Sequence, residues 1–406
     1  MTPYETPVFF LWLLLPLVPA VILGLTGRSE RFRKYLILLS TAIIIYLIAG
    51  STGTLVEIAA FFLFQWHLVR GYLTYRQSAG KESQWVYYLV VFASILPLLV
   101  VKLSPMLYLH TLLNTPLGFL GISYLTFRTV GMVLEIRDSL IKQVGILDFF
   151  CFVLFFPTFS SGPIDRYRRF LEDLNKPLST REYAVLLIDG LEHVFTGFLY
   201  KFILAYLVNR YWLAPLTHAH GFVATVKYMY AYSAYLFFDF AGYTAFAVGI
   251  SYFLGIRSPE NFNRPFLATN IKDFWNRWFM TLSYWFRDFV YMRFMLDSIK
   301  KKRFKSRYTA SYVAYFITFL LMGFWHGLQP QYIIYGIYHG TLLSGFEFLE
   351  RKNKKPKDSE GRDWVFWGKG PFWDSLAVLV TVHLVMFGFL VFSGRLTSGL
   401  PQTYKF

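Results

Sequence analysis

Cysteine is nearly absent from this sequence: among 406 residues there is one, Cys151. A single thiol excludes an internal disulfide and any zinc site built on paired cysteines. It sits in an apolar run and reads as a small buried hydrophobe. Charge is scarce as well, at 16% of residues against 55% hydrophobic, whereas a soluble domain carries about 25% charged residues. HExxH, a Walker loop and a GxSxG elbow are all missing, so neither metal nor nucleotide chemistry is expected.

What the chain has instead is long apolar runs. Segments 7–26, 35–50, 53–72, 85–103, 182–207, 308–325, 330–349 and 372–393 approach the roughly 20 residues that cross a bilayer as a helix. The expected fold is an all-α polytopic membrane protein. It has about eleven spans plus re-entrant or short helices, and residues 1–406 form one membrane domain. The first run lacks a basic region before it and a cleavage site after it, so it reads as a span and not a signal peptide.

The net charge of +16 would suit nucleic acid if it formed one patch. It falls instead between spans: Arg28, Arg31, Arg33 and Lys34; Arg76 and Lys81; Arg166, Arg168 and Arg169; Lys300 to Arg307; Arg351 to Lys357. That is the pattern of cytoplasmic loops, and it places both termini outside and leaves no role for nucleic acid.

Several segments depart from plain spans. Segment 116–135 carries Arg128, which must be paired or face a cavity. Segment 147–163 is short and broken by Pro157, Gly162 and Pro163, so it reads as re-entrant, with an interfacial stretch at 166–181. Asp189, Glu192 and His193 share a helix face, as a hydrogen-bonded seam or as a metal or proton site; the seam is favoured. Segment 223–255 reads as two short helices broken near Asp239 to Gly242. His110, His218 and His220 fall in outside loops.

Residues 261–293 differ from the rest. Asn261, Asn263, Arg264, Asn270, Lys272, Asp273, Asn276, Arg277, Arg287, Asp288 and Arg293 are interleaved with aromatic residues. Such a mixture at membrane depth is tolerated when buried in protein or lining a cavity, and a cavity is expected here. The helix that follows ends in Gly323-Phe-Trp-His326-Gly327. A neutral imidazole can take and return a proton near neutral pH, and the flanking glycines would let a substrate approach the backbone. The competing reading is a histidine hydrogen-bonded inside a bundle, and that reading is preferred for His67, His339 and His383.

Five stretches carry a resemblance: FFPTFSSGPIDRY (155–167), FFDFAGYTAFAVGISYFLGI (237–256), NFNRPFLATNIKDFWNRW (261–278), TLSYWFRDFVYMR (281–293) and GFWHG (323–327). With GISYLTFRTV (121–130), they resemble the membrane-bound O-acyltransferase superfamily, in order over about two-thirds of the chain. The branch most similar transfers D-alanine to lipoteichoic acid; the alginate O-acetyltransferase branch comes next.

The resemblance implies a ring of helices around a thin centre with a funnel, in a bacterial plasma membrane. It implies that His326 is catalytic, and that the donor is D-alanine held as a thioester on the phosphopantetheine of a small acidic cytoplasmic carrier protein. No cofactor would be bound by the chain itself. The implied acceptor is lipoteichoic acid, and the other implied partners are an anchored, extracellular-facing hydrolase-like protein and a small single-span peptide. Many relatives place a histidine where this chain has Phe279, which can neither exchange a proton nor donate a hydrogen bond.

In the mechanism expected, His326 is general base on an acceptor hydroxyl. Trp325, Asn276 or Arg277 supplies the oxyanion donor. For the missing histidine, the chain does without it, uses a neighbour such as Asn276 or Ser283, or is an impaired variant, and catalysis is assigned to His326 alone. The carrier dock is expected at 292–307, with Met295, Leu296 and Ile299 as its apolar centre. Lys301, Lys302, Arg303 and Arg307 would belong to its basic rim; the same charges also serve topology. An O-acetyltransferase of an exported polysaccharide, a transporter or a non-catalytic scaffold are the other functions considered.

Overall fold

The computed structural model describes residues 2–78, 83–104, 118–353 and 370–397. Lys81, His110, residues 354–357 of the last basic cluster and the C-terminus lie outside the described residues. Among the described residues, every long element is a helix. Eight helices are long and apolar enough to cross a membrane: α1 (Pro7–Leu25), α2 (Ser29–Ala49), α3 (Thr52–Ser78), α4 (Gln84–Leu103), α8 (Thr180–Leu216), α9 (Phe222–Phe253), α13 (Arg307–His326) and α15 (Pro371–Phe392). Between them lie α5 (Ile122–Arg137), α6 (Ile146–Val153), α7 (Tyr167–Asn175), α10 (Ile271–Trp275), α11 (Met280–Phe286), α12 (Met292–Lys300) and α14 (Pro330–Asn353).

Stretch 330–349 is helical as expected, but its tyrosines, His339 and glycines leave α14 less apolar than those eight. The break expected near Asp239 to Gly242 does not occur: α9 runs unbroken through it. Gly242 serves a close approach instead, because a Cβ there would stand 2.7 Å from the backbone nitrogen of Lys201.

The chain folds as two units. The first holds Met1–Lys201 and Ala241–Glu260. Two of its buried charges, Arg128 and Arg33, are matched to helix ends. Arg128 on α5 is 2% exposed and donates to the carbonyls of Phe152, Val153 and Thr158 at 2.7–2.8 Å. Carbonyls at a helix C-terminus lack intrahelical partners and carry partial negative charge, so the end of α6 both needs and neutralises this cation. With eight residues, α6 is about 12 Å long and cannot cross a bilayer.

Arg33 is buried in the same manner, its Nη1 donating to the carbonyls of Asp173 at 2.6 Å and Lys176 at 2.8 Å. That member of the first basic cluster is therefore a packing element. Arg169 on α7 binds Asp165, Asp173 and the carbonyl of Arg257. It thereby ties α7 to the chain leaving α9.

The seam on α8 has an acid that sequence spacing did not show. His193 Nδ1 meets the carbonyl of Asp189 at 2.7 Å, and Nε2 meets Glu260 at 2.6 Å. Glu192 is exposed. Glu260 lies 67 residues away in sequence, beyond the reach of any helical periodicity.

The second unit holds Phe202–Phe240 and Asn261–Phe406. Its centre is the α13–α14 pair, packed through glycine. A Cβ at Gly336 would stand 2.5 Å from the carbonyl oxygen of Phe319, and a backbone atom in a helix cannot give way. Gly336→Ala is therefore expected to destabilise by about 1–3 kcal/mol. A lowered thermal midpoint in detergent checks it; an unchanged one would contradict this packing.

Candidate active site

The polar stretch begins as a clasp. Phe262 and Trp278 form an isolated antiparallel bridge. The amide of Asn263 donates to the Arg277 carbonyl at 2.9 Å, and that of Met280 to the Asn261 carbonyl at 2.9 Å. Asn261 is fully buried, its Oδ1 accepting from the Thr281 hydroxyl at 2.6 Å. Asn270 caps α10 by accepting from the Asp273 amide at 2.9 Å, and Asp273 accepts from Arg277 Nε at 2.7 Å.

The cavity expectation is thus half corrected. Asn261, Asn263, Asn270, Asp273 and Arg277 hold the clasp together, while Lys272, Asn276 and Arg287 line a cavity. Polar residue types in a membrane sequence mark irregular backbone; they do not say whether it is bound by itself or by a ligand.

That cavity has a volume of about 200 Å³. Its wall includes Trp275, Asn276, Ser283, Tyr284, Phe319 and Leu343. The turn Arg287–Tyr291 beside it is wound as π-helix, a form that recurs at functional sites. Its polar groups are locally ordered: Tyr284 donates to the Asn276 carbonyl at 3.2 Å and Ser283 to the Trp278 carbonyl at 3.1 Å. Lys272 pairs with Glu350 at 2.8 Å, and Arg287 lies 4.5 Å over the Tyr284 ring. The result is a mostly aromatic pocket with two cations at its wall, each with a carboxylate partner, since Arg287 also meets Asp288 at 2.9 Å.

His326 is the last residue of α13. Its ring stands 4.5 Å from Trp325, 4.8 Å from Phe392 and 5.9 Å from Tyr332. The flanking glycines do not leave room for a substrate. A Cβ at Gly327 would stand 2.7 Å from the Tyr332 ring, and one at Gly323 would strike the Tyr332 carbonyl. Both exist so that α14 can bring Tyr332 against the histidine. Among the three donors considered, Trp325 is placed beside His326; Asn276, with Ser283, lines the cavity, and Arg277 is engaged by Asp273.

Phe279 sits at the head of α11, 6% exposed, its ring edge-on to Phe240 at 4.7 Å. Its φ of +44° is unusual for a bulky side chain; histidine is among the residues enriched there.

On α12 the exposed apolar residues are Met292, Leu296 and Ile299, while Met295 is half-buried. The apolar stripe is thus shifted from the one expected. Lys301 and Arg303 both bind Asp297, at 2.9 and 2.5 Å. The hydrogen bond from Lys301 holds the Asp297 carboxyl below its ordinary range, so this pairing is present at neutral pH and is lost as pH falls through that lowered value. Arg307 lies 5.1 Å over the Tyr308 ring. Lys302 and Lys305 are exposed.

The other histidines are a mixed set. His67 and His383 each bind the carbonyl four residues back at 2.7 Å, and His383 also meets the Tyr230 hydroxyl at 2.7 Å. His339, expected to make a polar contact, has no hydrogen-bond partner on either nitrogen among the described residues.

Comparison with known proteins gives the family. The model of the MBOAT, membrane-bound O-acyltransferase family, matches residues 42–360. The teichoic acid D-alanyltransferase of Bacillus subtilis is 48% identical, over 97% of this chain and 98% of its own length. That of Streptococcus thermophilus is 40% identical over 98% and 96%. A probable alginate O-acetylase of Azotobacter vinelandii is 30% identical over 65% of this chain and half of its own length. The chain belongs to the membrane-bound O-acyltransferase family and is a multi-pass acyltransferase.

Proposed function

We propose that this acyltransferase moves D-alanine from the thioester of a carrier protein to hydroxyls of teichoic acid. The supporting observation is the near full-length similarity to two proteins named teichoic acid D-alanyltransferase, together with His326 held at a helix end by aromatic rings. An imidazole nitrogen of His326 takes the proton of the acceptor hydroxyl as its oxygen bonds to the thioester carbonyl carbon. The carbon–sulfur bond then breaks, and the proton passes from the imidazolium to the departing sulfur. Trp325 Nε1 is the oxyanion donor that the ring geometry favours. The pocket at Trp275 and Asn276 receives the donor arm, with Lys272 and Arg287 able to meet its phosphate.

The carrier docks on α12 from the cytoplasmic side, with both chain termini outside. Leu296, 62% exposed, is the apolar centre, and Lys302 and Lys305 steer an acidic partner. Leu296→Asp should weaken carrier binding about tenfold or more, as loss of a central contact does. Lys302→Glu with Lys305→Glu should weaken it mainly at low salt. Titration of the carrier against the protein in nanodiscs at two salt concentrations reads both; unchanged affinity in the leucine variant places the dock elsewhere.

The transfer itself is tested with carrier loaded with labelled D-alanine or labelled acetate. Acceptor-dependent loss of D-alanine in preference to acetate is expected. Preference for acetate would favour transfer to an exported polysaccharide, as in the alginate relatives.

A further inference from the structure

One face of α14 leads from the histidine to the pocket. Tyr335, His339 and Leu343 follow at four-residue steps, the spacing that stacks side chains along one side of a helix. Tyr335 meets the His326 ring at 6.4 Å and the His339 ring at 4.5 Å, and Leu343 lines the pocket. His339 therefore occupies the layer between them. Trp275 closes the same layer from α10: its ring stands edge-on to His339 at 5.1 Å and 86°, and it too lines the pocket.

The polar atoms of this layer are unmatched. Trp275 is 8% exposed and His339 not at all. Yet Trp275 Nε1 and both nitrogens of His339 have no hydrogen-bond partner among the described residues. Native chains keep few such groups, because a buried donor or acceptor left unmade is costly. Here there are three, within two touching rings, between a pocket and the candidate base. An indole offers one donor, and a neutral imidazole one donor and one acceptor.

We propose that Trp275 and His339 form a binding step between the pocket and His326, built for a thin chain that carries carbonyl and amide groups. This rests on the acyl-transfer reading and adds to it a recognition element for the donor arm. The two N–H groups donate to carbonyl oxygens of the arm, and the remaining imidazole nitrogen accepts from an amide N–H. Surrounded by Phe319, Tyr335 and Tyr338, these bonds form away from water, where they are strongest. A site of this kind rejects an alkyl chain of equal length, since its buried polar groups would then stay unmatched.

The test compares two carriers on the protein in nanodiscs: one with the D-alanyl-pantetheine arm and one without it. In the wild type the arm should raise affinity. Trp275→Phe keeps the ring and removes the donor, and His339→Leu removes both polar atoms. Trp275→Phe should lower the arm's contribution about tenfold, the effect of one lost buried hydrogen bond, and His339→Leu, which loses two, by more than that; both should leave armless carrier binding unchanged. His339→Gln retains a donor and an acceptor and should keep most of the contribution, a rescue that a purely structural role does not provide. Equal loss in the leucine and glutamine variants, or an undiminished arm contribution in both Trp275→Phe and His339→Leu, overturns the proposal while D-alanine release by the wild type preserves the transfer reading. A wild type that neither distinguishes the two carriers nor releases D-alanine overturns both.

Discussion

Replacing His326 with alanine is expected to lower D-alanyl transfer by about 10²–10⁴-fold, the range over which a positioned general base acts. The fold should survive the change. The imidazole is half-buried at a helix end, and the Tyr332–Phe392 ring contact beside it, at 5.1 Å, remains in its absence. Carrier affinity should be unaltered too, because the proposed dock on α12 is a separate element. Label retained on the carrier, with unchanged thermal midpoint and carrier binding, is the expected combination. Turnover within a few-fold of the wild type would move the general base elsewhere.

Phe279→His is expected to produce two effects of opposite sign. Turnover should rise, by about 10²-fold if the new imidazole joins in proton transfer at the low end of such contributions. The resemblance to relatives with histidine at this place motivates that expectation, and the backbone supports it: φ is already +44°, a conformation in which histidine is enriched and phenylalanine is not. Stability should fall, because the edge-on contact with Phe240 is worth about 0.5–1.5 kcal/mol beyond its buried area. Single-turnover release and a melting curve on the same preparation separate the two. Unchanged release would mean that position 279 takes no part in proton transfer here, leaving Ser283 or Asn276 to be tested next.

Much of this molecule can be read from order and composition. The apolar runs at 7–26, 35–50 and 85–103 become α1, α2 and α4 with boundaries shifted by a few residues, because a run of that length has one stable form in lipid. The short α6 is legible from Pro157, Gly162 and Pro163. What escapes is anything decided by a distant partner. Asp239 to Gly242 looks like a breaker when read locally, yet α9 continues because Gly242 admits the backbone of Lys201. The clasp residues look like cavity lining because Asn261 and Thr281, or Asn263 and Arg277, find each other only once the chain turns back. His339 is the opposite case: a polar type suggests a polar contact that its surroundings of Phe319, Trp275 and Tyr338 do not supply.

The buried arginines also set a timetable for making the protein. Arg128 finds its carbonyls 24–30 residues further along, so its partners emerge from the ribosome almost at once. Arg33 waits for carbonyls 140 and 143 residues downstream, a delay of roughly seven to thirty seconds at ordinary elongation rates. During that interval its guanidinium must remain among water and lipid headgroups, and the start of α2 can settle only when α7 arrives.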